Sequence, residues 1–171
     1  ERQARQAIRS EKKKRPNAKI LVTGCAAQID PNKWNSMPEV NFVVGNREKL
    51  EATFWKNFDS HGNITDKSNM FVDNIMETKK TNNHIINTFD RHTRGFVQVQ
   101  NGCDHRCTFC IIPFGRGPSR SVSTQEVINS INSLLKNDVK EIVLTGVDLT
   151  SWGNDVFGKP SLGLLVKKIL K

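Results

Sequence analysis

Cys103, Cys107 and Cys110 stand within eight residues of one another, in the run Asn-Gly-Cys-Asp-His-Arg-Cys-Thr-Phe-Cys. Thiolates are the usual protein ligands of iron-sulfur clusters, and a four-iron cubane takes four of them. Three thiols on one short loop therefore suit three irons and leave the fourth open to chelate a small molecule, which turns an electron carrier into a site for chemistry. Zinc is the competing reading. Structural zinc takes four ligands, commonly as two separated pairs, so a fourth ligand would have to come from His105, His84, His92 or Cys25. Two disulfides fit worst, because three of the four cysteines crowd together and the fourth, Cys25, lies far upstream. Phe109, between the last two cysteines, is placed to shield a cluster, and Gly146 to let a ligand approach the backbone beside it. Each also has an ordinary reading, as a core aromatic and as a turn glycine.

The elements that must position these residues follow a β/α rhythm. Phe96 to Gln100 has β character and delivers the chain directly into the cysteine loop. Ser123-Thr-Gln-Glu126 is a capping box that starts a helix running to about Asn137, with Val127, Ile131, Leu134 and Leu135 inward. Ile142 to Leu144 is an apolar strand of the parallel type, followed by Gly146-Val-Asp148. Ser161 caps a last helix carrying Leu164, Leu165 and Ile169. From residue 95 the order strand, cysteine loop, helix, strand, loop, helix is the opening of a β/α barrel, whose chemistry belongs at the C-terminal ends of its strands.

The upstream part repeats the rhythm. Ala4, Ala7 and Ile8 give residues 2 to 14 a narrow apolar stripe, a helix that ends before Pro16. Ile20 to Val22 reads as a strand ending at Thr23-Gly24-Cys25, with Cys25 in the loop just beyond it. Asp30-Pro31 is a helix start. Phe42 to Val44 is a second strand closing at Gly45, after which Asn46 caps a helix from Arg47 to Phe58 with Leu50, Phe54 and Phe58 on one face. The expected organisation is thus α/β throughout, with a first domain over 1–58, a connector over 59–93 holding one strand, and the start of a barrel over 94–171.

Length and composition bound the function class. The 171 residues suffice for one or two cores, and 36% hydrophobic with 25% charged residues is ordinary for a globular chain. No apolar run is long enough to span a bilayer and no leader is evident, so the expectation is a cytoplasmic protein without a membrane partner. The chain starts at Glu1 inside one helical pattern and stops at Lys171 inside another, which reads as a fragment. Its net charge of +9 is uneven: residues 1–20 hold eight Lys or Arg against two Glu, a balance of +6. Arg2, Arg5, Arg9 and the run Lys12 to Arg15 are placed to meet phosphates, or else form a solvated helix face.

Cys-x-x-x-Cys-x-aromatic-Cys after a first barrel strand resembles the radical S-adenosylmethionine superfamily. The longer string from Val97 through Cys103, Cys107 and Cys110 to Ile111-Ile-Pro-Phe-Gly-Arg-Gly-Pro-Ser-Arg-Ser121, with Thr23-Gly-Cys-Ala-Ala-Gln28 upstream and Leu144-Thr-Gly-Val-Asp148 downstream, is similar to the methylthiotransferases. Phe114-Gly-Arg-Gly-Pro-Ser-Arg-Ser121 is most similar to the branch acting on threonylcarbamoyl-adenosine beside the tRNA anticodon, rather than those acting on isopentenyl-adenosine or a ribosomal protein.

That resemblance implies a partial N-terminal methylthiotransferase domain followed by a partial radical SAM barrel. It implies that Cys103, Cys107 and Cys110 hold a [4Fe-4S] cluster whose open iron chelates S-adenosylmethionine, with Phe109 at the adenine and Gly146 at the methionine end. An electron passed to that cofactor cleaves its sulfonium to a deoxyadenosyl radical, which takes hydrogen from the substrate carbon. Cys25 matches one of three ligands of a second [4Fe-4S] cluster that presents the sulfur, its two partners belonging upstream of Glu1. The implied partners are the tRNA anticodon stem-loop and an electron donor, and this fragment is expected to be inactive alone. Without the resemblance, a zinc-stabilised, non-catalytic RNA-binding module remains the rival.

Overall fold

A computed structural model describes residues 1–59, 62, 64, 68–79, 93–159 and 161–171. His84 and His92, named above as zinc ligands, and much of the connector lie outside the described residues. The chain divides into two compact units. The first is Glu1–Glu77 with Phe114–Arg116; the second is Thr78–Pro113 with Gly117–Lys171.

In the first unit α1 (Arg2–Lys14) is the expected basic helix, with Lys12, Lys13 and Lys14 in the last turn, where they oppose the negative end of the helix dipole. Strand β1 (Leu21–Thr23) follows, then α2 (Cys25–Ile29) and α3 (Pro31–Asn35). Cys25 is the first residue of α2 rather than part of a loop. Gly24, at φ +107°, makes the turn so abruptly that the helix begins at once. Asp30 caps α3 as read, its carboxylate accepting from the Lys33 N–H at 3.2 Å, with Pro31 in the first turn.

Strands β1, β2 (Phe42–Val44) and β3 (Met70–Phe71) form a parallel sheet in that order, with Val22 opposite Val43 and Val44 opposite Phe71. Ala27, Trp34, Met37, Val40 and Val43 form the core beneath it, joined by Ile8 from α1. The single helix expected over 47–58 is broken. A 3-10 turn at Glu48–Leu50 is separated by extended Glu51 from α4 (Ala52–Lys56). Asn46 does not cap a helix; it is buried and its amide is committed to tertiary hydrogen bonds described below, which outweigh local capping. Phe54 keeps its inward face, with ring centroids 5.4 Å from Phe58 and 5.3 Å from Phe71.

The second unit is built on β4 (Arg94–Gln98), which leads into β5 (Gln100–Asn101), the cysteine loop and β6 (Arg120–Ser121); between the last two runs α5 (Ile112–Arg116), whose last three residues belong to the first unit. Then come α6 (Thr124–Lys136), β7 (Glu141–Thr145), α7 (Asn154–Phe157) and α8 (Leu162–Ile169). β4 and β7 pair in parallel from Arg94↔Glu141 to Gln98↔Thr145, so β4, α6 and β7 make one βαβ unit. No closed barrel is present among the described residues.

The Ser123–Glu126 capping box is formed in full. Val127, Ile131 and Leu134 are buried, but Leu135 is 52% exposed: it sits about 100° round the helix from Leu134, off the stripe that meets the sheet. Ser161 occupies the cap position of α8 without capping it; its hydroxyl donates to the Lys159 carbonyl instead. Leu165 is buried and Leu164 lies outside. Trp152 completes the core, its indole N–H donating to the Val122 carbonyl at 3.1 Å.

Candidate metal centre

The cysteine loop leaves β5 and returns at β6, and the antiparallel pairs Gln100↔Ser121 and Asn101↔Arg120 close its base. Gly102 lets it turn. Its φ is +76°, and a Cβ there would lie 1.9 Å from the Pro118 carbonyl oxygen, so no other residue fits. The Cys103 N–H donates to the Gly117 carbonyl at 3.1 Å, and the Ser119 N–H donates to Asp104 Oδ1 at 2.9 Å, tying the two limbs together. Further along, the Cys110 N–H donates to the Cys107 carbonyl at 3.0 Å, a single turn that carries both thiols. Cys103 is buried, Cys110 half-buried and Cys107 exposed, and none is in a disulfide. Phe109 between them is 91% exposed.

Gln100, which by sequence is only the end of a strand, organises the site. Its side chain is fully buried and every polar atom is used. Nε2 donates to the carbonyls of Asn101 (3.2 Å) and Gly102 (2.8 Å) and to Ser119 Oγ (3.0 Å). Oε1 accepts the N–H groups of Val147 (2.9 Å) and Asp148 (2.8 Å). One amide thus pins the start of the cysteine loop to the loop after β7. A Cβ on Gly146 would approach Gln100 Oε1 to 3.0 Å and Leu149 Cδ2 to 2.8 Å, so Gly146 also makes room for this amide. The available sequence signal was weak: a polar residue continuing a Val-Gln-Val alternation into a glycine turn.

Asp148 lies where that loop passes the cysteines. Its carboxylate accepts the hydroxyls of Ser151 and Thr150, which with the nearby His105 hold it below the usual carboxylate range. His105 Nε2 is 3.2 Å from Asp148 Oδ2. Arg120, under the loop, is 5% exposed and donates to the Pro118 carbonyl at 2.9 Å; burial pushes its pKa down.

The spacing of the three thiols bears on whether they could share one zinc ion. Four ligands round one zinc at about 2.3 Å would bring sulfurs within roughly 3.8 Å of each other. Among the described residues, the one group whose ligand atoms all lie within 4.8 Å of one another is Cys103, His105 and Asp148, without Cys107 or Cys110. The three thiols are not gathered round one ion. They are free, on one loop and spread, which fits a cluster in which each thiolate has its own iron.

Cys25 belongs to the first unit. Arg116 Nε lies 3.1 Å from its sulfur and Asn46 Nδ2 3.8 Å away. Asn46 Nδ2 also donates to the Gly115 carbonyl at 2.6 Å, its backbone N–H donates to Gln28 Oε1 at 2.8 Å, and its Oδ1 accepts from Lys49 Nζ at 2.7 Å. A Cβ on Gly115 would sit 2.7 Å from that of Cys25. Burial and the nearby Arg116 lower the pKa of Lys49. The thiol therefore faces the Arg116 guanidinium and the Asn46 amide N–H.

Among the described residues no helix is long and apolar enough to cross a membrane. Residues 97–168 match the family model of the radical SAM superfamily. Over all 171 residues the chain is 46% identical to the threonylcarbamoyladenosine tRNA methylthiotransferase MtaB of Rickettsia prowazekii, covering 39% of that protein. It is 36% identical to MtaB of Aquifex aeolicus, over 91% of this chain and 37% of the relative. The ribosomal protein uS12 methylthiotransferase RimO of Desulfotalea psychrophila is 32% identical, over 91% of this chain and 34% of the relative. The chain spans less than two-fifths of the length of these curated relatives. The cysteine loop lies inside the segment that matches the radical SAM superfamily, and the likeness to MtaB runs over the whole chain, so this chain is similar from end to end to the radical SAM methylthiotransferases.

Proposed function

We propose that this chain is part of a cytoplasmic tRNA methylthiotransferase that inserts a methylthio group at C2 of threonylcarbamoyl-adenosine beside the anticodon. The observation that carries the reading is the cysteine loop itself: three free thiols on a hairpin whose base is closed by β5 and β6. Cys103, Cys107 and Cys110 would hold a [4Fe-4S] cluster, with S-adenosylmethionine on its open iron. That pair supplies a one-electron cleavage of the sulfonium and hence a radical able to take hydrogen from an unactivated carbon.

The chain's own residues do the positioning. Gly102 and Gln100 set the direction in which Cys103 presents its sulfur, and Gly146 leaves the backbone after β7 open for the methionine end of the cofactor. Exposed Phe109 is available to cover the adenine. Cys25, with the Arg116 guanidinium and the Asn46 amide donating to its sulfur, contributes one ligand to a second cluster that offers the sulfur to be transferred. The electron donor and the anticodon stem-loop are the partners this chemistry requires.

Anaerobic reconstitution of the full-length protein with iron and sulfide tests the reading. An oxygen-sensitive brown chromophore is expected, and Cys103→Ala, Cys107→Ala or Cys110→Ala should each abolish S-adenosylmethionine cleavage. Cys25→Ala should spare that cleavage and lose thiolation; equal loss of both would overturn the division of roles. Mass spectrometry of tRNA nucleosides from cells lacking the gene should show threonylcarbamoyl-adenosine without its methylthio group. A missing methylthio group on isopentenyl-adenosine, or on a ribosomal protein, would assign the substrate to those instead.

A further inference from the structure

Cys103, His105 and Asp148 bring a sulfur, an imidazole nitrogen and a carboxylate oxygen within 4.8 Å of one another. The observed 3.2 Å between His105 Nε2 and Asp148 Oδ2 is close to the separation of roughly 3.4 Å that two ligands at about 2.1 Å from a tetrahedral zinc require. The two come from different loops and meet without a covalent reason to do so. We propose that, when its cluster is absent, the protein binds one zinc ion through Cys103, His105 and Asp148, with water in the fourth position, and that this ion excludes the cluster.

The supports expected of a metal site are in place. Metal-bound carboxylates are usually held by outer hydrogen bonds, and Asp148 has two hydroxyl donors, Thr150 and Ser151. Its backbone N–H and the carbonyl of Gly102, next to Cys103, are fixed by the same buried amide of Gln100. Cys103 itself is anchored through its N–H to Gly117. One thiolate, one imidazole and one carboxylate suit zinc or cobalt rather than calcium or magnesium, which take oxygen ligands. The His105 side chain is 67% exposed, so an ion reaches the site from solvent and finds a water for its open position. Cys107 and Cys110 take no part.

Exclusion follows from ligand sharing. Cys103 cannot serve a zinc ion and an iron of the cluster together, so one ion withholds one of the three thiolates from assembly. Exclusion rests on the cluster reading above; the zinc site does not, so each can fail separately.

The test uses Co2+ and Zn2+ alone on the full-length protein, purified anaerobically without iron. Tetrahedral cobalt bound by a thiolate gives an intense near-ultraviolet charge-transfer band. Cys103→Ser should remove one equivalent of that band, whereas Cys107→Ser and Cys110→Ser should leave it unchanged. His105→Ala and Asp148→Asn should each weaken zinc, measured against a chromophoric chelator, by roughly tenfold or more, since even outer partners of metal ligands are worth 10–100-fold. A band that Cys107→Ser or Cys110→Ser removes as completely as Cys103→Ser would overturn the proposal, as would the absence of any band that depends on Cys103. Zinc added before reconstitution should lower the iron incorporated by the wild type, and much less so in Asp148→Asn. Iron uptake equally insensitive to zinc in both, with the cobalt result as expected, would leave the site standing and refute the exclusion.

Discussion

Replacing Gln100 by Leu keeps most of the side chain's volume and removes five hydrogen bonds at once. Their partners differ in what remains to them. Val147 is exposed and its N–H can turn to water, but Asn101 and Gly102 are buried, and their carbonyls would lose this donor without solvent to replace it. At about 1–3 kcal/mol for each buried group left unsatisfied, the change costs roughly 2–5 kcal/mol. Since 1.4 kcal/mol is a factor of ten, even the lower figure raises the opening of this region about 30-fold. Hydrogen exchange read by mass spectrometry on peptides covering 99–103 and 145–150 measures it directly. Gln100→Glu separates lost bonding from lost packing. A carboxylate can still accept from Val147 and Asp148, but it cannot donate to the carbonyls of Asn101 and Gly102. Only the protonated acid fits, so its folded-state pKa is raised, and protection should be closest to wild type below the unfolded value of about 4.3 and fall as pH rises above it. If Gln100→Leu exchanged within about threefold of wild type over both peptides, the claim that this amide holds the two loops together would be wrong.

Other expectations follow from single contacts. Gly102→Ala places a Cβ against the Pro118 carbonyl at a positive φ and should cost at least ~2 kcal/mol, with iron retention reduced; unchanged iron per chain would contradict the close approach. Glu48 is buried, and burial raises its pKa above the ordinary 4.5, outweighing the backbone N–H groups and the Arg47 guanidinium that favour its carboxylate. Its folded form therefore favours the acid, and stability is lost as pH rises past that value. Glu48→Gln should stabilise by on the order of 1 kcal/mol at pH 7 and by nothing near pH 4, as read by urea unfolding; a gain independent of pH would rule out charge burial as its cause. If α1 meets tRNA, replacing Lys13, Lys14 and Arg15 by Ala should flatten the salt dependence of binding by roughly 0.7–0.9 log units per lost phosphate contact. An unaltered slope would make this face merely solvated.

How far the sequence could be read depended on whether a residue's role was local. The helix at 2–14, the cap at Asp30, the strand at 42–44 and the Ser123–Glu126 box depend on neighbours a few positions away, and all were legible. Asn46 was not. Its pattern is that of a helix cap, but Gly115 lies 69 positions away and claims its amide. Leu135 shows the limit of periodicity, since two adjacent leucines cannot both face one sheet. At the candidate metal centre the three cysteines announce themselves by spacing. Gln100 and the approach of His105 to Asp148 depend on where β7 returns beside β4, which no local signal encodes.

That non-locality has a consequence during synthesis. About 40 residues separate Cys110 from Asp148, so at roughly 5–20 residues per second the ribosome finishes the cysteine loop some 2–8 s before the segment that Gln100 must grip. Through that interval the three thiols are made but not yet pinned, and Cys103 has neither Asp148 nor the completed β4–β7 pair beside it. A nascent chain stalled between those two points would therefore carry its three loop thiols at their least protected moment, and the rate of translation across residues 110–148 becomes part of how the cysteine loop survives synthesis.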